Sequence, residues 1–159
     1  MSKVKTNAMR ILDSNKVDYK TWSYSVKNDH VDGVEVANEI GRDVNEVYKT
    51  LVAQGASKEL YVFVVPVHES LDLKKGAKVA KEKNIEMIAV KDINKHTGYI
   101  RGGCSPIGMK KLYKTFVNES AKSLETIIVS AGKIGYQIEL SPSDLKSIIN
   151  CEFEDIIKK

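Results

Sequence analysis

Two neighbouring glycines, Gly102 and Gly103, lie in a segment that could hold a carbonyl oxygen, an oxyanion or a phosphate. Residues 98–111 include four of the chain's ten glycines and one of its three prolines, a composition typical of a loop with unusual backbone angles. Adjacent glycines allow successive N–H groups to point into one concavity. The segment lacks the ending of a P-loop and the GxGxxG pattern. Taken alone, it is more simply interpreted as a turn that needs a positive φ.

Lys49 is a second candidate, because it lies in an apolar stretch at the start of a predicted strand. Its neighbours include Val47, Tyr48, Leu51 and Val52. A charge in such surroundings is costly unless it has a partner, which favours a functional role. By itself, however, such a residue is more often a surface lysine on an alternating strand.

Cys104 could act as a nucleophile beside the glycine turn, whose N–H groups would lower the pKa of its thiol. The sequence identifies no histidine with an orienting partner for it, so a small side chain that fills space in the loop is the preferred interpretation. The histidines, at positions 30, 68 and 96, lack HxxxH or HExxH spacing, and neither Cys104 nor Cys151 lies in a CxxC pair. We therefore expect no metal and no cofactor.

The charge of the chain permits a nucleic-acid partner without requiring one. The formal net charge is +4, from 25 basic and 21 acidic residues, far from that of a histone-like protein. Two lysine clusters could contact phosphates or could simply form solvated faces. They are Lys74, Lys78 and Lys81, and Lys110, Lys111 and Lys114.

Alternating helical and strand patterns predict the elements that must position these residues. Helices are predicted over 6–16, 34–40, 73–84, 92–97 and 142–150, with a further capped turn at Asp43. In the third helix, Leu73, Ala77 and Ala80 are expected to face inward. Strands are predicted over 19–24, 48–54, 59–67, 86–90, 115–120, 125–130, 136–140 and 151–157. We expect an α/β fold of the α+β kind, with a mixed, largely antiparallel sheet of about six or more strands and packed helices, forming a single domain over residues 1–159.

The N-terminus lacks the uninterrupted apolar stretch of a secretion signal, and no segment approaches the roughly 20 apolar residues that span a bilayer. Two cysteines are too few for a disulfide scaffold. We therefore expect a cytoplasmic protein without a membrane partner.

Four short segments, taken in order, resemble the YbaK family of tRNA-editing domains. They are YKTL at 48–51, LDLKK at 71–75, TGYIRGGCSPIG at 97–108 and VSAGK at 129–133. The ordered set is specific, although each piece alone is weak. The resemblance runs from the first helix to the C-terminal strand.

That resemblance implies a hydrolase of mischarged prolyl tRNA, typically Cys-tRNA(Pro), that acts as a freestanding protein and sometimes alongside prolyl-tRNA synthetase. By motif position, the family's site lysine falls on Lys49 and its site glycine on Gly102. The same resemblance implies further substrate-binding residues, which are Tyr24, Thr50, Gly103, Ser105 and Ser130. The turn at 131–134 lacks a second glycine and an arginine that close members often have there, which leaves the choice between cysteine, alanine and other small residues open.

The chemistry of the residues agrees with this implication. An aminoacyl-tRNA is an activated ester, so its hydrolysis needs orientation, a stabilised oxyanion and a nucleophile, but no metal or cofactor. We expect Gly102 and its neighbour to donate N–H groups to the ester carbonyl while Lys49 orders the phosphate or ribose of the terminal adenosine. The attacking group is either the thiol of the substrate cysteine or water. The alternatives are a non-catalytic module that binds a nucleotide or oligonucleotide, and a hydrolase built on Cys104.

Overall fold

The computed structural model describes residues 5–25 and 32–159, and His30 lies outside them. The helices within this part are α1 (Asn7–Ser14), α2 (Gly33–Glu39), α3 (Leu73–Ala80), α4 (Val90–Thr97) and α5 (Pro142–Ile149), with a short 3-10 helix at Glu119–Ser123. The strands are β1 (Lys20–Ser23), β2 (Tyr48–Gly55), β3 (Leu60–Pro66), β4 (Ile85–Met87), β5 (Lys114–Asn118), β6 (Ile127–Ser130), β7 (Tyr136–Leu140) and β8 (Glu152–Glu154). None of the helices in the described ranges is long and apolar enough to cross a membrane.

The strands form two sheets, one with the order β4-β2-β3-β5-β8 and one with the order β1-β7-β6. Antiparallel pairs predominate, and the parallel pairs are β3 with β5 and β5 with β8. The expected mixed, largely antiparallel arrangement is therefore present. The sequence suggested one sheet, whereas the structure divides the strands between two.

The two sheets are joined at a single parallel bridge between Val47 and Ile128. The N–H of Ile128 donates to the carbonyl of Glu46 at 2.9 Å, and the N–H of Val67 donates to the carbonyl of Val47 at 2.9 Å. Beyond this point β2 pairs with β3 and β4, while β6 pairs with β7. No further pairing between β2 and β6 is present in the described residues.

The central strand β3 is apolar along its whole length because it is buried on both faces. Val62 and Val64 face a core that also receives α1, α5 and the three-stranded sheet. Tyr61, Phe63 and Val65 face a second core beneath α3. One strand thus holds the two halves of the interior together.

Helix α3 begins at the predicted residue but ends four residues earlier than predicted. Asp72 caps it as expected, with its carboxylate accepting from the N–H of Lys74 at 2.9 Å. The helix ends at Ala80 because Lys81 takes a left-handed conformation. Leu73, expected to face inward, is 40% exposed, since the buried face of the helix begins only at Gly76. The first turn is held instead by Lys75, whose ammonium donates to Asp155 at 3.1 Å.

The turn at Asp43 is also corrected: its carboxylate accepts from the N–H of Asn45 at 2.8 Å and forms a tight turn without a helix. Strands β4 and β8 are shorter than the predicted runs over 86–90 and 151–157. In the first case residues from Val90 onward belong to α4. In the second, only the segment that pairs with β5 forms a strand.

A buried carboxylate on β7 connects the three-stranded sheet to the segment that follows α2. Glu139 is 5% exposed and accepts hydrogen bonds from the Trp22 indole at 2.9 Å and the Arg42 guanidinium at 2.8 Å. Its other oxygen accepts from the Thr126 hydroxyl, and Arg42 also pairs with Glu46. Burial by itself would raise the pKa of Glu139, but these hydrogen bonds outweigh it and hold that pKa below its usual value.

We expect Glu139→Gln to lower the free energy of unfolding at neutral pH by about 1.5–3 kcal/mol, the range for hydrogen bonds to a charged group. Because the pKa is lower in the folded chain, the stabilisation is present above the unfolded value and is lost as the pH falls through the folded one. The difference between wild type and variant should shrink below pH 4.5, the ordinary glutamate value. Urea unfolding across pH measures it, with exposed Glu125→Gln as the matched control. A difference that does not change with pH would contradict this assignment.

Candidate functional site

A cleft of about 490 Å³ lies beside the bridge that joins β2 to β6. Its walls come from the start of β2, the facing ends of β6 and β7, the beginning of α2 and the glycine loop. The residues that line it are Asp32, Gly33, Val36, Val47, Tyr48, Lys49, Thr50, Leu51, Val67, Arg101, Gly102, Cys104, Ser130 and Gln137. Elements distant in sequence therefore meet around one concave surface.

Four of the residues implied by the resemblance line this cleft together: Lys49, Thr50, Gly102 and Ser130. Lys49 and Thr50 belong to β2, and Ser130 ends β6. Gly102 belongs to the loop between α4 and β5. The fold thus brings together residues that are as far apart in sequence as positions 49 and 130.

Tyr24, Gly103 and Ser105 do not belong to the lining of the cleft. Tyr24 follows β1 and donates its backbone N–H to Gly135 at 2.9 Å. Ser105 is fully buried, and its hydroxyl accepts from the N–H of Ile107 at 3.2 Å. The Tyr24 hydroxyl is buried and has no hydrogen-bond partner among the described residues.

The conformation of the glycine loop explains why two glycines stand next to each other. The N–H of Gly103 donates to the carbonyl of Ile100 at 3.0 Å, which closes a four-residue turn. Gly102 is the third residue of that turn and has a φ of +87°, as in a type II turn. A Cβ on Gly103 would lie 3.0 Å from the backbone N of Ile134, so close packing with the β6–β7 turn requires glycine there.

This geometry separates the two N–H groups that the sequence suggested would act together. The N–H of Gly103 is engaged within the turn. The N–H of Gly102 donates to none of the other residues described. Of the pair, Gly102 therefore has the N–H available for a ligand.

Tyr99 holds the glycine loop in place through two hydrogen bonds. Its hydroxyl donates to the carbonyl of Ile107 at 2.7 Å, and its N–H donates to the Thr97 hydroxyl at 3.0 Å. Burial raises the pKa of Tyr99 to about 12, so the phenol stays protonated and keeps its donor. The loop is thus a fixed wall of the cleft.

Lys49 is partly buried, and burial lowers the pKa of its ammonium below the ordinary value. The charges of Asp32 and Glu69 oppose that change. No carboxylate in the described part of the chain lies within salt-bridge distance of the ammonium. Within the described residues, the ammonium of Lys49 therefore lines the cleft without an ion-pair partner.

Gln137 is a cleft residue that the sequence analysis did not identify. It lies directly opposite Ser130 in the β6–β7 pairing and is 6% exposed. The sequence signal that could have identified Gln137 is the register of the β6–β7 hairpin, which places it opposite Ser130. Gln137 Oε1 and Thr50 Oγ1 are buried and have no hydrogen-bond partner in the part of the chain that is described.

Cys104 lines the cleft but is 7% exposed and packs against Val52 and Tyr99. Burial raises the pKa of its thiol to about 11, so little thiolate forms near neutral pH. No histidine side chain among residues 5–25 and 32–159 hydrogen-bonds to it. The same ranges contain no group of three or more histidine, cysteine or acidic residues able to hold a metal ion.

Residues 29–148 match the family model described as the aminoacyl-tRNA editing domain. Over 155 residues the chain is 46% identical to a protein of Enterococcus faecalis named "Putative Cys-tRNA(Pro)/Cys-tRNA(Cys) deacylase EbsC". That similarity covers 98% of this chain and 94% of the other protein. The family resemblance inferred from the ordered segments is therefore confirmed.

Two solved structures with low sequence identity share the fold. One, described as "a putative trans-editing enzyme for prolyl tRNA synthetase", has a TM-score of 0.83 at 18% identity and covers 99% of this chain and 100% of that one. The other, described as a hypothetical protein, has a TM-score of 0.86 at 17% identity, with coverage of 96% and 100%. At these identities the similarity concerns the fold alone, and it confirms the predicted fold class.

We expect both cysteines of the folded protein to resist iodoacetamide at mildly alkaline pH. Burial raises the thiol pKa of Cys104 and of Cys151 to about 11 and blocks access to both sulfur atoms. Intact-mass measurement over time tests this, and the protein unfolded in urea, where both cysteines should react, is the control. Rapid modification of Cys104 alone would instead indicate an activated nucleophile.

Proposed function

The chain belongs to the family of aminoacyl-tRNA editing domains, and from that membership we propose that it removes cysteine from mischarged prolyl tRNA. The reaction class, hydrolysis of an aminoacyl-tRNA ester, follows from the family and from the relative named as a deacylase. The choice of Cys-tRNA(Pro) is our proposal. The names of the relative and of one structural neighbour support it.

The observation that best supports this proposal is the meeting of Lys49, Thr50, Gly102 and Ser130 around one cleft. Its volume of about 490 Å³ suits a small ligand or the end of a larger one. A terminal adenosine with a small aminoacyl group is such an end. The cleft supplies donors for oxygen atoms, and the described residues contain no group of three or more histidine, cysteine or acidic side chains that could hold a metal ion.

In our proposed mechanism the N–H of Gly102 donates to the ester carbonyl oxygen. It then stabilises the negative charge that develops on that oxygen as the carbonyl carbon becomes tetrahedral. The Lys49 ammonium orders the phosphate or ribose of the terminal adenosine. If water attacks, the products are the free amino acid and the tRNA with its terminal hydroxyl restored. If the substrate thiol attacks, the same hydroxyl leaves, and a cyclic thioester of cysteine forms that water then opens to the free amino acid.

The attacking group comes from the substrate cysteine or from water. Cys104 is a poor candidate, because its protonated thiol lies in an apolar setting. An aminoacyl ester is reactive enough for positioning and charge stabilisation to supply much of the acceleration. The protein therefore needs no nucleophile of its own.

A second candidate substrate is Ala-tRNA(Pro) or another small aminoacyl-tRNA, because the turn at 131–134 departs from the pattern of close family members. In either case mischarged tRNA is the partner, and prolyl-tRNA synthetase is a possible second partner from which tRNA specificity is borrowed. We place the reaction in the cytoplasm. We also propose that residues 1–159 act as one editing domain.

We expect the purified protein to release cysteine from Cys-tRNA(Pro), and Lys49→Ala to reduce kcat/KM about tenfold to a hundredfold, the effect of losing a charge-assisted contact. The variant should keep the thermal melt of the wild type, since Lys49 forms no ion pair with the residues described. Lys122→Ala, at an exposed position outside the cleft lining, is the matched control.

Parallel assays with cysteine, alanine and serine on the same tRNA(Pro) decide between the two candidate substrates. Release of none of them above background would refute the enzyme proposal and favour a module that only binds nucleotides. An unchanged rate in Lys49→Ala would refute the role given to that residue.

We expect Cys104→Ala to retain near-normal turnover of Cys-tRNA(Pro). Its thiol stays protonated near neutral pH and has no histidine partner among the described residues. Single-turnover deacylation rates of the variant and the wild type provide the comparison. A loss of a thousandfold or so would restore Cys104 as the nucleophile.

A further inference from the structure

Two buried oxygen atoms in the wall of the cleft have no hydrogen-bond partner in the described ranges. They are Gln137 Oε1 and Thr50 Oγ1, and both residues line the cleft. Native proteins contain few such atoms, because an unpaired buried polar group destabilises the fold. Their position in a cleft wall indicates a ligand that donates hydrogen bonds.

Strand register places these two residues near each other. The parallel bridge pairs Val47 with Ile128, so Thr50, three residues further along the chain, is level with Ala131, the residue that follows Ser130 at the end of β6. Ser130 ends β6, and Gln137 is its direct partner on β7. The Ser130 hydroxyl already accepts from the N–H of Gly132 at 3.2 Å, and Asp32 Oδ1 accepts from the N–H of Val34 at 2.9 Å. Thr50 and Gln137 provide the buried acceptors of the cleft that have no partner among the described residues.

The chemistry of the acceptors restricts the group they can bind. Gln137 Oε1 can only accept, and Thr50 Oγ1 has two lone pairs. Among the other cleft groups, Lys49 and the N–H of Gly102 can only donate, which suits the phosphate and carbonyl oxygens of the substrate. An aminoacyl-tRNA has one cationic donor at its reacting end, the α-ammonium group, which is attached to the carbon next to the ester carbonyl.

We propose, building on the proposed function, that Gln137 Oε1 and Thr50 Oγ1 bind the α-ammonium group of the aminoacyl ester. The enzyme therefore requires a free α-amino group and rejects N-acylated substrates such as peptidyl-tRNA. Acylation of the nitrogen removes its charge and two of its three N–H donors. It also adds bulk beside a wall whose side chains Gln137 and Ser130 are only 6% and 8% exposed.

The test compares hydrolysis of Cys-tRNA(Pro) and N-acetyl-Cys-tRNA(Pro) by the wild-type protein. Both substrates keep the thiol, so a difference reports on the amino group alone. We expect kcat/KM for the acetylated substrate to be about tenfold to a hundredfold lower, the loss of a charge-assisted hydrogen bond. This comparison needs no variant and does not depend on the folding of one.

Variants then assign the preference to particular residues. Gln137→Met and Thr50→Val should reduce the rate with Cys-tRNA(Pro) and leave the rate with N-acetyl-Cys-tRNA(Pro) unchanged. The ratio of the two rates should therefore become smaller than in the wild type. Gln137→Glu, which keeps an acceptor, should retain the preference. Thr115→Val removes a buried threonine outside the cleft lining and serves as the control, with thermal melts for all variants.

The outcomes separate this inference from the proposed function. If the wild type hydrolyses both substrates equally fast, the inference fails while the editing function stands. If it hydrolyses neither these substrates nor other aminoacyl-tRNAs, the proposed function itself fails. If a substrate with a 2′-deoxy terminal ribose loses rate in a Gln137-dependent manner while acetylation has no effect, the acceptors bind the ribose and the inference is overturned.

Discussion

The cleft depends on the single parallel bridge between Val47 and Ile128. A longer ladder between β2 and β6 would merge the two sheets and fill the space between them with strand pairing. Because the pairing of the described strands stops at this bridge, Lys49 and Ser130, two residues beyond it on either strand, line the cleft. Lys49 and Thr50 occupy one side of the cleft, and Ser130 occupies the other. The site is therefore a consequence of topology, which also explains how residues so distant in sequence meet there.

Apart from the Tyr24 hydroxyl, the buried side-chain polar atoms of the described residues outside the cleft lining have hydrogen-bond partners. Glu139 receives hydrogen bonds from three elements beside the cleft, and Tyr99 fixes the glycine loop through its hydroxyl and its N–H. Inside the cleft, Thr50 and Gln137 hold unpaired oxygen atoms. Unsatisfied groups within an otherwise satisfied framework are expected where a ligand completes the hydrogen bonding.

The features of the fold that could be predicted from sequence were the local ones. Asp72 and Ser141 cap helices as their residue types indicate, because a cap depends on a few neighbouring backbone groups. The prediction that Leu73 faces inward was wrong, because the elements that pack against a short helix determine which of its faces is buried. Gln137 was missed for a similar reason: its role depends on strand register and on the separation of the two sheets. For Gly102, a structural turn and a functional N–H looked like alternatives in the sequence, but the type II turn that needs glycine also leaves this N–H free.

The residues of the cleft favour a mechanism in which the chemistry of the substrate, and not a protein nucleophile, determines which amino acid is removed. Cys104 is protonated and enclosed, whereas Lys49 and Gly102 are suited to orientation and charge stabilisation. A reactive side chain would attack each activated ester that reached it, and a pocket that differs by one methylene discriminates only about 10- to 200-fold. A cleft that positions the ester and leaves the attack to a substrate thiol makes the chemistry of the amino acid part of the selection. In such a cleft, discrimination between amino acids depends on how strictly the aminoacyl ester is held. Holding it through its α-ammonium group is the role we propose for the unpaired oxygens of Thr50 and Gln137.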